Sequence, residues 1–223
     1  MYGPKRDSEY AEGGGNPVDE ILPVLADANA PPIMTPGDSI PGRYRHPVTY
    51  FKSALGLVLL REQILGPERF DHAFRRFIAT WAFRHPTPSD FFRTMESEAG
   101  EDLSWFWRQW YLNNQTYDVA VTGLAYVDDD PTHGAVVTVS NLDQMVFPTT
   151  LFIVLMDGTQ VRRSLPVETW MLTASTQIRL ETTQDIMSVT VDPDHALPDR
   201  DRSNNTFPIP IPVPAHSARP ARH

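Results

Sequence analysis

The stretch HPVTYFKSALGLVLLREQILGPERF, residues 46–70, decides how the first half of this chain folds. Residues 54–60 are apolar almost all round a helix, which is typical of a buried helix. Gly66 is a stop signal at the end of that helix, and Pro67 suits the first turn of another. We therefore predict one helix over about 48–65 and a second helix directly after it.

Further along, the apolar residues keep the helical spacing. In the second helix they are Phe70, Ala73, Phe74, Phe77, Ile78 and Trp81. Thr87, Pro88 and Asp90 form a variant of the capping box at the start of a third helix, which Gly100 ends. The stripe of the fourth helix is Leu103, Phe106, Trp107 and Trp110. About four helices are therefore predicted.

After Asn113 and Asn114 the apolar period changes from 3.6 to 2. Val119, Val121 and Ala125 alternate first, and the segments that follow are GAVVTVS, TTLFIVLM, TQVRRSL, QIRLE and SVTV. An Asp157-Gly158 pair between two of them is a hairpin signal. Six or so short strands at regular spacing favour a compact antiparallel β-sandwich, and the predicted fold class is α+β.

Prolines mark the boundaries of four predicted parts. Residues 1–35 are predicted to be an irregular segment with one short helical turn at about 18–25. Residues 36–116 form the helical subdomain, and 117–195 form the β-sandwich. Residues 196–223 form a Pro-rich tail, in which PIPIPVP favours disordered polyproline II. We prefer a solvated terminus to a proline-rich ligand for this tail.

Composition excludes several classes of protein. The chain has 41% hydrophobic residues and a net charge of −9, which argues against nucleic acid or an anionic membrane as a partner. It has no Cys, so disulfides and thiolate metal sites are excluded. No apolar run approaches the roughly 18–20 residues of a transmembrane helix, and the polar N-terminus does not resemble a signal peptide. The compartment stays open between cytoplasm and periplasm or secretion.

The residues that carry hydrolytic chemistry do not form a complete set. None of the seven histidines is followed by Glu, and no two lie three or four positions apart, so there is no H-E-x-x-H. There is also no G-x-S-x-G and no Gly-rich phosphate loop. Asp192 and Asp194 flank Pro193 at a strand end, where an Asx-turn is the expected role.

The order of several short motifs points to a family. Y-x-K-S-A at 50–54 is followed by L-L-R-E-Q-I-L-G-P-E-R-F, by W-A-F-R-H-P-T-P-S-D-F-F and by G-E-D-L-S-W-F-W-R-Q-W. This series resembles the region downstream of the zinc site in gluzincin metallopeptidases of the membrane alanyl aminopeptidase family, which includes the leukotriene hydrolase type. The resemblance spans about 36–114, and the strand-rich half resembles the β-sandwich that follows the peptidase domain. Ser53 replaces the usual Gly.

The resemblance implies a catalytic role for Tyr50. The matching tyrosine of the family points its hydroxyl at the substrate carbonyl and stabilises the oxyanion opposite zinc. Without the family pattern, a tyrosine that packs a helix start is the simpler interpretation; with it, we favour catalysis. Tyr44 is the competing candidate but lacks the x-K-S-A sequel. Lys52 is expected to be structural, although a cation near a cleft could tune it.

Other parts of the family's site have no counterpart in this sequence. The two histidines and the glutamates of the zinc site, and the G-x-M-E-N-like amine anchor, are all missing, so no residue is assigned as metal ligand, general base or amine anchor. We expect a C-terminal fragment of a zinc-dependent aminopeptidase-like metallopeptidase, inactive and zinc-free alone. Its partners would be a peptide substrate and a zinc-bearing N-terminal half. The alternative is a non-catalytic binding or scaffold module that uses the β-sandwich surface.

Overall fold

The structure is a computed structural model that describes residues 16–207. Helices come first along the chain and two antiparallel sheets follow, which confirms the predicted α+β class. The predicted irregular segment before residue 16 and the polyproline stretch from residue 208 onward lie outside the described residues. Between residues 16 and 207, no helix is both long and apolar enough to cross a membrane.

Helix α1 (Pro17–Leu25) is the short helix expected near the N-terminus. The side chain of Asn16 accepts a hydrogen bond from the N–H of Val18 and caps the helix. The buried face of α1 belongs to the main hydrophobic core, so this segment is part of the folded body. Two polar contacts also hold it to the far end of the chain: Asn16 donates to the carbonyl of His195, and Arg202 forms an ion pair with Asp19.

The opening stretch of the sequence forms a continuous helical path from Gly42 to Leu65. It consists of α2 (Gly42–His46), a π-helical turn (Pro47–Lys52), α3 (Ser53–Leu59) and a second π-helical turn (Leu60–Leu65). The path begins six residues before the predicted start. Pro47 has no N–H to donate, and the hydrogen bonds change to the i→i+5 pattern there instead of ending the helix.

The remaining helices follow the predicted order. They are α4 (Pro67–Trp81), α5 (Pro88–Ala99) and α6 (Ser104–Phe106), the last continued by a π-helical turn (Trp107–Leu112). Gly66 and Gly100 both have positive φ, 79° and 64°, as the predicted stop signals require. Thr87 and Asp90 form the predicted capping box.

The apolar stripe of α4 is only partly covered. Phe70 and Ala73 are buried, and the ring of Phe74 packs against the rings of Phe70 and Phe91. Ile78, one turn from the end, is 52% exposed. Amphipathic spacing therefore identifies the helix correctly but overstates how much of its stripe the described chain buries.

Within residues 16–207, seven strands build two antiparallel sheets. They are β1 (Val119–Tyr126), β2 (Ala135–Asn141), β3 (Thr149–Leu155), β4 (Gln160–Leu165), β5 (Ser175–Leu180), β6 (Ile186–Val191) and β7 (Thr206–Phe207). One sheet has the order β1-β2-β5 and the other β4-β3-β6-β7. The predicted Asp157-Gly158 hairpin joins β3 and β4. A short helix, α7 (Glu168–Leu172), precedes β5 and was not predicted.

Alternate residues of both sheets share one core. Val137 and Val139 of one sheet and Ile153 and Val189 of the other are each at most 1% exposed. The core continues into the helical half, where the ring of Phe147 packs against those of Phe106, Trp110 and Tyr117 at centroid distances of 6.5, 6.3 and 5.3 Å.

Polar contacts reinforce this junction between helices and sheets. The side chain of Gln109 donates to the carbonyl of Val146 and accepts from its N–H, at 2.8 and 2.9 Å. Because the amide of Gln109 bonds both the N–H and the carbonyl of Val146, it fixes the distance and the relative orientation of the two segments. The helical half is therefore attached to the sheets by a dry core and by a two-point hydrogen bond.

The chain stays packed beyond residue 195, where the tail was predicted to begin. Leu197 is buried, and β7 pairs with β6. The buried carboxylate of Asp192 accepts hydrogen bonds from the N–H groups of Ala196 and Leu197, four and five residues on. It therefore holds a turn, but by a wider loop than the Asx-turn that was expected. Burial raises the pKa of Asp192 to about 6. The described chain therefore stays packed from residue 196 to Phe207, because a turn held by Asp192 leads it back to the sheet.

Candidate functional site

Tyr50 lies in the π-helical turn Pro47–Lys52, on the outer side of the helix. Its side chain is 60% exposed. No side chain or backbone group in the described part of the chain hydrogen-bonds its hydroxyl. Ala54, one turn later, is exposed on the same side, whereas Val48 and Lys52 are buried on the other. The helix therefore packs one face into the protein and presents the Tyr50 hydroxyl outward.

Lys52 is the most unusual residue of the buried face. It is 1% exposed, its Nζ donates to the Oδ1 of Asn114 at 3.3 Å, and Nζ lies 5.8 Å from the centre of the Trp110 ring. Burial lowers the pKa of Lys52 to about 8, because an ammonium loses its hydration there. The side chain points into the protein, away from Tyr50, in line with the structural role expected of it.

The pKa of Lys52 makes the stability of the chain depend on pH. The folded state holds this proton less tightly than the unfolded state, whose lysine titrates near 10.5, so the free energy of unfolding rises with pH. Between pH 8 and pH 10 the rise from this group should be about 2 kcal/mol. In Lys52→Met, which has a similar length and no charge, that rise should be absent. Urea unfolding of both proteins at several pH values measures the difference, and parallel curves would contradict it.

Two aromatic side chains hold the helix immediately after Tyr50. Trp110 donates from Nε1 to the carbonyl of Lys52 at 3.0 Å, and the Tyr111 hydroxyl donates to the carbonyl of Ser53 at 3.3 Å. Gly56 lets Trp110 approach, since a Cβ there would lie 2.7 Å from the Trp110 Cδ1 and closer still to Nε1. The backbone that carries Tyr50 is thus fixed from the inside.

Tyr44 has a different environment from Tyr50. Its ring is buried, its hydroxyl donates to the carboxylate of Asp27, and it accepts from Arg43 at 2.8 Å. A phenol hydroxyl has one proton to donate, and Tyr44 already donates it to Asp27. The hydrogen bond raises the pKa of Tyr44 and lowers that of Asp27. The carbonyl of Asp27 in turn accepts from Asn114, so Tyr44 belongs to an interior network.

A neighbour of Tyr50 was missed by the sequence reasoning. The imidazole of His46 lies with its centre 5.0 Å from that of the Tyr50 ring, and 5.2 Å from that of Phe51. The signal was present in the sequence, since His46 and Tyr50 are four residues apart on one helix.

The described residues do not form a zinc site. Within residues 16–207, no three His, Asp or Glu side chains come close enough together to bind one metal ion. His72 pairs with Glu98, and His133 lies beside Asp128 and Asp130 in a separate turn. Asp194 pairs with Arg162 at the surface. These side chains therefore lie in small separate groups at different places in the fold.

Comparison with known proteins gives a likeness of fold. No family model matches the sequence, and no curated protein matches it. Among solved structures, the crystal structure of Legionella pneumophila aminopeptidase A in complex with aspartic acid is similar, with a TM-score of 0.51 and 15% identity. The match covers 68% of this chain and 18% of that chain, so the chain spans less than a fifth of its neighbour's length. A structural neighbour of this protein is therefore an aminopeptidase, which supports a peptidase-like fold.

Proposed function

We propose that this chain supplies the oxyanion-stabilising side of a zinc-dependent, aminopeptidase-like metallopeptidase, with Tyr50 as its catalytic residue. The observation that carries the proposal is the contrast between two tyrosines on one helical path. The Tyr44 hydroxyl is buried and bonded to Asp27, whereas the Tyr50 hydroxyl is exposed, and no described residue bonds it. Of these two tyrosines, Tyr50 is the one whose hydroxyl proton is available for a substrate.

The chemistry asked of Tyr50 is hydrogen-bond donation. When water adds to a peptide carbonyl, the carbonyl oxygen gains negative charge, and a phenol O–H aimed at it stabilises that charge more than the neutral carbonyl. The donor must be positioned beforehand, because reorientation during the reaction would cost part of the benefit. The bonds from Trp110 and Tyr111 hold in place the helix backbone that carries Tyr50.

The rest of the site belongs, in this proposal, to another stretch of polypeptide. Zinc, the general base and the group that holds the substrate's amino terminus have no candidates among the described residues of this chain. Zinc is therefore proposed as a cofactor of the assembled enzyme and not of this chain. The partner is a polypeptide that carries an H-E-x-x-H zinc site, and the substrate is a peptide with a free amino terminus.

The outer face of the helix is the proposed contact surface for that partner. Tyr50 and Phe51 are exposed, and Ala54 provides a small surface residue one turn later, where another helix could approach closely. Ala54→Arg should leave the chain folded, because the position is exposed, but should weaken association with the zinc-bearing partner at least tenfold. Gln177→Arg, at an exposed position of β5 in the sheets, is the matched control. Titration by calorimetry separates the two, and equal affinities would place the contact elsewhere.

Complementation tests the proposed function directly. The chain is assayed with fluorogenic aminoacyl amides alone and after mixing with the zinc-bearing polypeptide, the first candidate being one encoded immediately upstream. Activity of the mixture that neither part has alone is the expected result. A chain that binds this partner without producing activity would favour the non-catalytic module instead.

A further inference from the structure

The exposed position of Tyr50 raises the question of what holds its ring in one orientation. A surface tyrosine can rotate about two side-chain bonds, and displacement of a catalytic group by about 1 Å can cost about 100-fold in rate. The backbone bonds from Trp110 and Tyr111 fix the helix but not this side chain. Some other contact must therefore restrict the ring.

His46 makes that contact. Its imidazole centre is 5.0 Å from the centre of the Tyr50 ring, and the two planes are inclined by 37°. The same imidazole meets the ring of Phe51 nearly edge-on, at 5.2 Å and 75°. Both distances lie within the range in which aromatic rings attract each other. His46 thus lies against two consecutive aromatic residues at once.

The π-helical turn explains how one side chain can meet both rings. In a regular α-helix, residue i faces residues i+3 and i+4, while i+5 lies well round the helix. The i→i+5 hydrogen bonds of Pro47–Lys52 widen the turn that follows His46. Residues i+4 and i+5, Tyr50 and Phe51, are both brought next to the imidazole.

We infer that His46 is a positioning residue for Tyr50, holding the phenol ring in the orientation from which its hydroxyl donates to a substrate. The inference rests on the proposed function for its catalytic consequence, but the ring contact itself can be tested without it. The imidazole acts here as a flat ring and not as an acid or base. A phenyl ring at the same position should therefore serve as well.

The first arm of the experiment uses the full chain alone, with ¹³C-labelled tyrosine and NMR. The ring signal of Tyr50 is the one of the seven tyrosines that disappears in Tyr50→Phe. His46→Ala should shift this signal toward its value in an unstructured peptide, because the ring current of the neighbour is lost. His46→Phe should keep it displaced, and Arg45→Ala should leave it unchanged. A Tyr50 signal that does not move in His46→Ala would overturn the inference.

The second arm measures turnover in the complemented enzyme. His46→Ala should lower kcat by about 3- to 10-fold with KM unchanged, the range that loss of one aromatic contact allows. His46→Phe should restore kcat to within about twofold, a rescue that a general loss of folding would not show. If Tyr50→Phe lowers kcat and His46→Ala does not, the proposed function stands and this inference fails. If Tyr50→Phe has no effect either, both fail.

Discussion

Replacing Tyr50 by Phe should lower the kcat of the complemented enzyme by about 10²–10³, with KM almost unchanged. The substitution removes one hydroxyl and keeps the ring, so its packing against His46 should persist. The lost hydrogen bond forms mainly as charge develops on the carbonyl oxygen, which is why kcat is affected and substrate binding is not. Steady-state kinetics with an aminoacyl amide measures both constants. Because the side chain is largely exposed, the free energy of unfolding of the isolated chain should change by less than about 0.5 kcal/mol.

Tyr44→Phe is the matched control, with the opposite profile. It removes a hydroxyl that is bonded to the partly buried Asp27 carboxylate, so the isolated chain should lose more stability than it does in Tyr50→Phe. Turnover of the folded enzyme should stay within a few-fold of the parent. Retained activity in Tyr50→Phe together with abolished activity in Tyr44→Phe would move the catalytic assignment to Tyr44.

Gly56→Ala should destabilise the chain by about 3 kcal/mol or more, although alanine is the better helix former. The new methyl group would lie 2.7 Å from Trp110 Cδ1, and the indole is completely buried. Moving it would break the bond from its Nε1 to the carbonyl of Lys52. Urea denaturation, followed by tryptophan fluorescence, gives the change in the free energy of unfolding.

Gly42→Ala provides the comparison at a position without such a neighbour. No atom lies within 4 Å of a Cβ built there, at the first residue of α2. The substitution should be neutral or stabilise by up to about 1 kcal/mol, since alanine restricts the unfolded chain. A similar loss of stability in both variants would show that the close approach of Trp110 is not the cause.

The elements that the sequence predicts well are those whose signals are local. The capping box at Thr87, the stops at Gly66 and Gly100, and the change from helical to strand period after Asn114 need only neighbouring residues, and each is confirmed. The start of the helical path at Gly42 was missed because a proline such as Pro47 normally marks the beginning of a helix. Here a π-helical turn includes Pro47, so the helix continues through it. Strand β7 was missed because its two residues are too few to show an alternation of apolar and polar side chains. Its pairing with β6 depends on the turn at Asp192.

The candidate site was only partly accessible from sequence. The motif around Tyr50 identified it as the catalytic candidate. The sequence could not show, however, that the Tyr44 hydroxyl is hydrogen-bonded to Asp27, seventeen residues away. Likewise, the burial of Lys52 depends on Trp110 and Asn114, which are brought near by the whole helical half. A single sequence contains no repeating pattern that predicts contacts between distant residues. These contacts are what distinguish Tyr44 from Tyr50.

The attachment of α1 bears on how the protein is made. Asn16 bonds the carbonyl of His195, and Asp19 bonds the side chain of Arg202. Asn16 and His195 are separated by 179 positions. A ribosome that adds about 5–20 residues per second needs roughly 10–35 s to reach them. Until then α1 lacks these two polar partners, whereas α4 and α5 are close in sequence and can pack on each other soon after both are made. Helix α1 thus gains these two polar contacts only after most of the described chain has been synthesised, whereas its apolar face can pack against the helical half earlier.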